Sequence, residues 1–197
     1  MGHIFLMIDK ENSMKKSFYC LVAGSALLLS GAAQAISVNG QAGKNFTNFE
    51  AGLGTETSGL YSTLNWAHSD NDGDIVGLGL GLGVPLGSAI ISVGGKAMYL
   101  NPKHSGGGSD DYAVAIGGGI NLPLGQSFAL YGSAYYSPDS LSSGIKDYTE
   151  ATGGVRWNVM RPLSVDVGYR YVNLAGKDGH RDNAIADGPY VGVGLSF

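Results

Sequence analysis

The sequence predicts an all-β chain: an antiparallel transmembrane β-barrel of ten strands, with eight as the alternative, preceded by a cleaved signal peptide. Three observations carry this. Residues 190–197 alternate, with Val191, Val193, Leu195 and Phe197 on one face and Tyr190, Gly192, Gly194 and Ser196 on the other, the period of two that a strand imposes. A secretory leader stands near the N-terminus. Between the two lie evenly spaced alternating runs, divided by prolines and polar loops. A last strand with Tyr190, Gly192, Leu195 and a terminal Phe197 is similar to the end by which outer-membrane barrels close and are read by their assembly machinery, and these four residues are the candidate assembly signal.

In the leader, Lys15 and Lys16 precede an apolar run over 18–29, and Ala33-Gln34-Ala35 supplies a small-x-small cleavage site. This is the charged, apolar, cleavable order of an export signal, too short to span a bilayer. Cleavage is expected after Ala35. Residues 1–13 would put Asp9 and Glu11 ahead of the signal, so they read as an upstream extension, 14–35 as the signal peptide and 36–197 as the barrel. Cys20 is the single cysteine and lacks the lead-in of a lipid-anchored residue. With the leader removed, disulfides, thiol chemistry and thiolate zinc sites are excluded.

Of 33 glycines only Gly2, Gly24 and Gly31 precede the cut, so the rest of the chain far exceeds the roughly 7% of average usage. The formal net charge is −4, and removing three bases (Lys10, Lys15, Lys16) and two acids (Asp9, Glu11) leaves −5. An acidic chain without a basic run argues against nucleic acid as a partner. No apolar stretch after the leader is long enough for a spanning helix, so any membrane crossing is made by strands.

The six prolines, Pro85, Pro102, Pro123, Pro138, Pro162 and Pro189, are read as run ends, where a missing ladder donor is tolerated. The runs between them have about the nine to eleven residues a tilted transmembrane strand needs. They fall at 189–197, 163–174, 148–159, 127–137, 111–121, 88–100, 74–84 and 58–68, with weaker runs at 45–54 and 36–42. Connections at 55–58, 85–87, 122–126 and 160–162 are short; those at 69–73, 101–110, 138–147 and 175–188 are mostly longer and polar. Short turns at one end and long loops at the other are a barrel pattern. Both termini on the short-turn side require an even strand number: ten if 36–42 is a strand, eight if 36–54 is a leader or inner segment.

The run 74–84 sets Val76, Leu78, Leu80, Leu82 and Val84 against Gly77, Gly79, Gly81 and Gly83. A soluble sandwich would place polar residues on the second face; glycine there suits lipid outside and a crowded lumen inside. Trp66, Tyr99, Tyr136, Trp157, Tyr169 and Tyr171 lie toward run ends on the outward phase, as interfacial girdles do. The inward phase collects Glu50, Lys96, Glu150, Arg156, Asp166 and Arg170, three of each sign. A turn centred on Arg161 puts Arg156 opposite Asp166, and Arg170 opposite Thr152 and diagonal to Glu150, within reach of long side chains. Two such pairs are a cheap filling for a narrow lumen. The same polar interior could also be a constriction that leaks small solutes.

Other candidates are weaker. Asp70, Asp72 and Asp74 with Gly73 offer oxygens at alternate positions, as a calcium loop does, but the bidentate Glu is missing, so a solvated acidic hairpin is the plainer reading. His68 beside Ser69 and Asp70 is the nearest approach to a catalytic constellation. His104 and His180 lie in loops, and no spacing fixes a Ser-His-acid geometry. No enzyme activity, metal or cofactor is expected. Glycine-rich stretches such as 77–83 and 117–119 precede no helix and are not phosphate cradles. The loop 175–188 mixes both charges with Ile185 and reads as solvated, though such loops can carry contacts to lipopolysaccharide or a partner.

Beyond class, residues 35–44, 72–74, 136–145, 160–162, 168–171 and 182–191 together resemble the YfaZ family of enterobacterial outer-membrane proteins. The resemblance covers 36–197, and the departures are residues 1–13 and a Gly/Ser-rich loop at 105–109. It implies a place in the Gram-negative outer membrane, in contact with its lipids, lipopolysaccharide and assembly machinery, and offers no catalytic residues. The expected chain is a monomeric barrel of structural or surface-interaction role. A narrow porin-like channel and a lipid-modifying enzyme are the alternatives, separated by conductance steps and by altered lipid profiles respectively.

Overall fold

The computed structural model describes residues 35–102, 111–176 and 182–197. The leader with Lys15, Lys16, Cys20 and Ala33, the segment 105–109, His104 and His180 lie outside the described residues.

Among the described residues ten long strands form one antiparallel sheet closed on itself. They are β1 (Ile36–Gly43), β2 (Phe46–Leu53), β3 (Gly59–Ser69), β4 (Gly73–Leu86), β5 (Ala89–Pro102), β6 (Asp111–Leu124), β7 (Phe128–Ser137), β9 (Ile145–Met160), β10 (Leu163–Gly176) and β11 (Asn183–Ser196), with a two-residue β8 (Ser142–Ser143) beside β6. Each long strand pairs with its neighbours in chain order, and β1 pairs with both β2 and β11. Closure removes every long sheet edge. The eight-strand alternative is wrong, because Ile36–Gly43 and Phe46–Leu53 are wall strands with partners on both sides.

The alternation sets the faces. Leu78, Leu80 and Leu82 are 45%, 53% and 48% exposed, a coat suited to lipid. Register traces one aromatic girdle: Phe49 lies opposite Trp66, Trp66 opposite Val76, Val76 opposite Tyr99 and Tyr99 opposite Tyr112. At the other end Phe128 stacks on Trp157, ring centroids 6.4 Å apart. The glycines of β4 face inward, where a Cβ on Gly77 would collide with Asn65 and one on Gly81 with the Tyr61 hydroxyl. They make room for the long inward side chains of β3.

Two expectations are corrected at the last hairpin. Residues 183–188 are wall strand, not loop, and Pro189 lies inside β11 instead of at its start. The register slips between Val172 and Asn173, which face Ala186 and Ala184, so Ile185 is the extra residue of a bulge. Ile185 and Ala186 are consequently both buried, which breaks the period of two that marks a strand in sequence. Pro189 is tolerated because β1 reaches only Tyr190, paired with Gly43. Before that point β11 has β10 alone beside it, and an edge can spare a donor. Pro85 and Pro123 likewise sit in strands, each one residue from the end.

Candidate functional site

The wall encloses a lumen, and the described residues that fill it change in character along the axis. At the loop end an apolar group, Ile75, Leu100, Ile145, Val172, Leu174 and Ile185, is buried to no more than 2% exposure each, beside the buried polar Ser69, Asp111, Ser137 and Asn183. These residues come from β4, β5, β9, β10 and β11, so the layer is built from both halves of the ring.

Beneath it runs a polar belt. Lys96 Nζ donates to Glu150 Oε2 at 2.9 Å, and Arg170 Nη2 donates to Glu150 Oε1 at 2.8 Å. The Tyr148 hydroxyl gives Glu150 a third hydrogen bond at 2.8 Å. Arg170 Nη1 donates to Gln41 Oε1 at 3.1 Å, Asn48 Nδ2 reaches the same oxygen at 3.4 Å, and Asn65 Nδ2 donates to Asn48 Oδ1 at 3.4 Å. The chain of bonds therefore runs from β5 through β9, β10, β1 and β2 to β3. Lys96 also stands 4.1 Å from the Tyr135 ring centroid. A buried carboxylate with three donors is satisfied, whereas the same group alone would be costly to desolvate.

Toward the short-turn end lies a second cluster. The β9–β10 register sets Asp166 opposite Arg156, and Arg156 Nε donates to Asp166 Oδ1 at 2.7 Å. Arg156 Nη1 bonds Glu56, which sits in the turn 54–58 a hundred residues away in sequence. Asn39 Nδ2 donates to the other Asp166 oxygen. The same turn is held to β1 by Thr55 Oγ1 and Ser37 Oγ, 2.9 Å apart, and by Gly54 N–H to Ala35 O at 2.9 Å. Between this cluster and the belt is a cavity of about 180 Å³ whose walls include Glu50, Lys96, Tyr61, Tyr131 and Asn121.

The remaining candidates fall elsewhere. His68 Nδ1 lies 2.8 Å from Asp74 Oδ1 and its Nε2 3.8 Å from Asp70 Oδ1. Its ring stacks on Trp66 on the outer face. Ser69 is 1% exposed and its Oγ accepts from Asp72 N–H at 3.2 Å. Neighbours on a strand point to opposite faces, so His68 and Ser69 form no dyad. Among the described residues no three His, Cys, Asp or Glu side chains converge on a metal-sized point, Asp70, Asp72 and Asp74 included. Of the candidate assembly residues, Tyr190 is buried against Tyr131 and Gly192 packs near Asp166, while Leu195 and Phe197 face outward at 39% and 71% exposure.

Sequence reasoning missed Gln41, Asn48 and Asn65, although inward parity on β1 to β3 would have found them. It missed Glu56 because no periodicity reaches into a turn, and it missed Ile145 and Ile185 because the stretches 138–147 and 175–188 read as loops.

Three comparisons bear on identity. A family model described as YfaZ precursor matches residues 14–197. The Outer membrane protein YfaZ of Escherichia coli (strain K12) is 55% identical over 184 residues, 93% of this chain and 100% of that protein. Among solved structures, a NanC porin has a TM-score of 0.43 at 11% identity, covering 84% of this chain and 99% of its own. The translocator domain of autotransporter NalP from Neisseria meningitidis has a TM-score of 0.37 at 14% identity, covering 96% and 98%.

Proposed function

The chain belongs to the YfaZ family of outer-membrane β-barrel proteins, and we propose that it serves there as a structural or surface-interaction barrel with a non-conducting lumen. The observation that supports this is the buried apolar group of Leu100, Leu174 and Ile185 lying beyond an ionic belt in which Glu150 holds both Lys96 and Arg170. An ion entering from the short-turn end meets the packed side chains of this layer, a barrier of the kind hydrophobic constrictions impose.

In this reading the leader 14–35 is removed during export, residues 1–13 lie upstream of it, and the mature barrel is a monomer. The leucine coat meets outer-membrane lipid, and the loops meet lipopolysaccharide. The short turns face the periplasm, as in other transmembrane barrels. The final strand, with Tyr190, Gly192, Leu195 and Phe197, is what the assembly machinery receives. The opposed faces of His68 and Ser69 weigh against a lipid-modifying enzyme. The test is single-channel recording of refolded protein in planar bilayers. Flat traces are expected for wild type and for Arg156→Ala; discrete steps from wild type would instead support the narrow passive channel.

A further inference from the structure

We propose that the loop-end part of the last hairpin, residues 173–176 of β10 with residues 183–188 of β11, is a hinged lid over the lumen. It deepens the non-conducting reading, on which it rests, by making the closure at that end a movable one.

The wall has a step at the junction of β11 and β1. β10 pairs with β11 as far as Leu174 and Asn183, whereas β1 follows β11 only to Tyr190, opposite Gly43. Residues 183–189 therefore have a strand on one side only. Standing upright they would be a free edge, open to pairing with another chain. Instead, Cα atoms of β11 come within 8 Å of β3 and of β4, passing over β1 and β2. Lower down β1 and β2 separate these strands, so the approach is made above the turn at 44–45 that joins them.

The contact is apolar. Ile185 and Ala186, 1% and 2% exposed, share one buried cluster with Phe46 of β2, Ala67 of β3 and Ile75 of β4. Burial of this kind is non-directional, and a segment held by it can open as a unit while the rest stays folded. The bend toward the lumen has a local cause, because a bulge kinks the strand it interrupts and Ile185 is the extra residue. A hinge lies beside it. At Gly188 a Cβ would meet nothing within 4 Å, so the backbone there turns without collision, while Pro189 holds the next φ fixed. On the outer face the hinge stays anchored to β10, where the Tyr169 hydroxyl donates to Asp187 Oδ1 at 2.6 Å.

Beneath the lid the floor is the ionic belt. Ala67 is buried two residues nearer the loop end than Asn65, which donates to Asn48 in the belt. Ser92 lies beyond the belt, in the wall of the cavity toward the short turns. A lid that lifts by itself uncovers the first position and leaves the second as it was.

The experiment follows thiol labelling of the refolded full chain in a Cys20→Ser background, which removes its single cysteine. The reagent is a positively charged, water-soluble methanethiosulfonate. One protein carries Ala67→Cys and another Ser92→Cys, each with and without Ile185→Ser, and a heat-modifiable gel shift shows that each barrel is folded. With Ile185 intact, Ala67→Cys should label slowly, yet faster than global unfolding allows. Ile185→Ser should speed that labelling by about tenfold or more, since truncating a buried isoleucine removes much of what holds the lid down. Ser92→Cys should stay within about twofold of its own rate, because the opening is local. Ile185→Ala, with the same expected direction, takes the place of the serine variant if that one does not fold. Protection of Ala67→Cys until global unfolding would make the segment fixed wall and overturn the proposal. No acceleration by the Ile185 variant, or equal acceleration at both thiols, would overturn it as well. Conductance of wild type tests the closed lumen, whereas the contrast between the two thiols tests the lid, so the two fail separately.

Discussion

Lys96 and Glu150 bridge the lumen. Two strands, β6 and β7, separate β5 from β9 in the sheet, yet Lys96 Nζ stands 2.9 Å from Glu150 Oε2. The pair is a strut across the barrel, and it is not symmetric in its dependencies. Glu150 also holds Arg170 at 2.8 Å, whereas Lys96 is bonded to Glu150 alone among the described carboxylates. Removing Glu150 strands two buried cations; removing Lys96 leaves Glu150 still paired. Breaking a buried pair by deleting one partner costs about 3–5 kcal/mol. Glu150→Ala is therefore expected at or above that range and Lys96→Met clearly below it, read from urea unfolding in lipid vesicles. Equal losses from the two variants would mean that Glu150 is not the hub.

The glycines divide into those that seat a side chain and those that do not. A Cβ on Gly117 would overlap the Ala134 carbonyl oxygen and stand 2.7 Å from the Tyr135 ring, while one on Gly40 meets nothing within 4 Å. Backbone cannot yield as a flexible side-chain tip can, so Gly117→Ala forces the wall apart, with overpacking costs of about 1–3 kcal/mol. Gly40→Ala should be neutral or slightly stabilising. Comparison of the two unfolding midpoints checks the ordering, and a Gly117→Ala barrel as stable as wild type would contradict the contact.

Much of the wall was legible in the sequence, because a period of two fixes which residues face lipid and which face the lumen. An even strand number, the outward leucines of β4 and the inward charges of β9 and β10 follow from parity and turn positions, while the choice of ten over eight needed the pairing of Ile36–Gly43 with both neighbours. Legibility failed wherever parity is interrupted or absent. The bulge at Ile185 buries two consecutive residues and turned a strand into an apparent loop. Glu56 sits in a turn, so its approach to Arg156 depends on how the chain folds back over the mouth. The Lys96–Glu150 strut was invisible for another reason. Register relates adjacent strands only, and contacts across a barrel depend on its diameter and on which side chains share an axial level.

The acidic hairpin at 70–74 is expected to ignore calcium. Asp74 gives an oxygen to His68 at 2.8 Å, and Asp72 N–H is bonded to Ser69 Oγ at 3.2 Å, which fixes the turn without a cation. Calcium sites take six to eight oxygens, commonly including a bidentate carboxylate, and no such convergence exists among the described residues. Millimolar calcium should leave the melting temperatures of wild type and Asp72→Ala equally unchanged. A rise in wild type that Asp72→Ala abolishes would restore the metal reading.

Glu56 and Arg156 tie the β2–β3 turn across the short-turn mouth, and that tie should control access to the cavity behind it. The turn's other attachments, Thr55 to Ser37 and Gly54 to Ala35, are on its own side of the ring, to β1 and the residue before it. Only Glu56 reaches the opposite wall. Arg156 keeps Asp166 at 2.7 Å when Glu56 is replaced, so Glu56→Gln loosens the strap without leaving a bare buried cation, and stability should change by no more than about 1 kcal/mol, the scale of a part-exposed pair. Access should change more. Cys20 is the chain's single cysteine, so a Cys20→Ser background carrying Ser92→Cys places one thiol in the cavity wall. A charged, water-soluble thiol reagent should label it several-fold faster in Glu56→Gln than in the parent. Identical labelling rates would show that the turn does not govern entry.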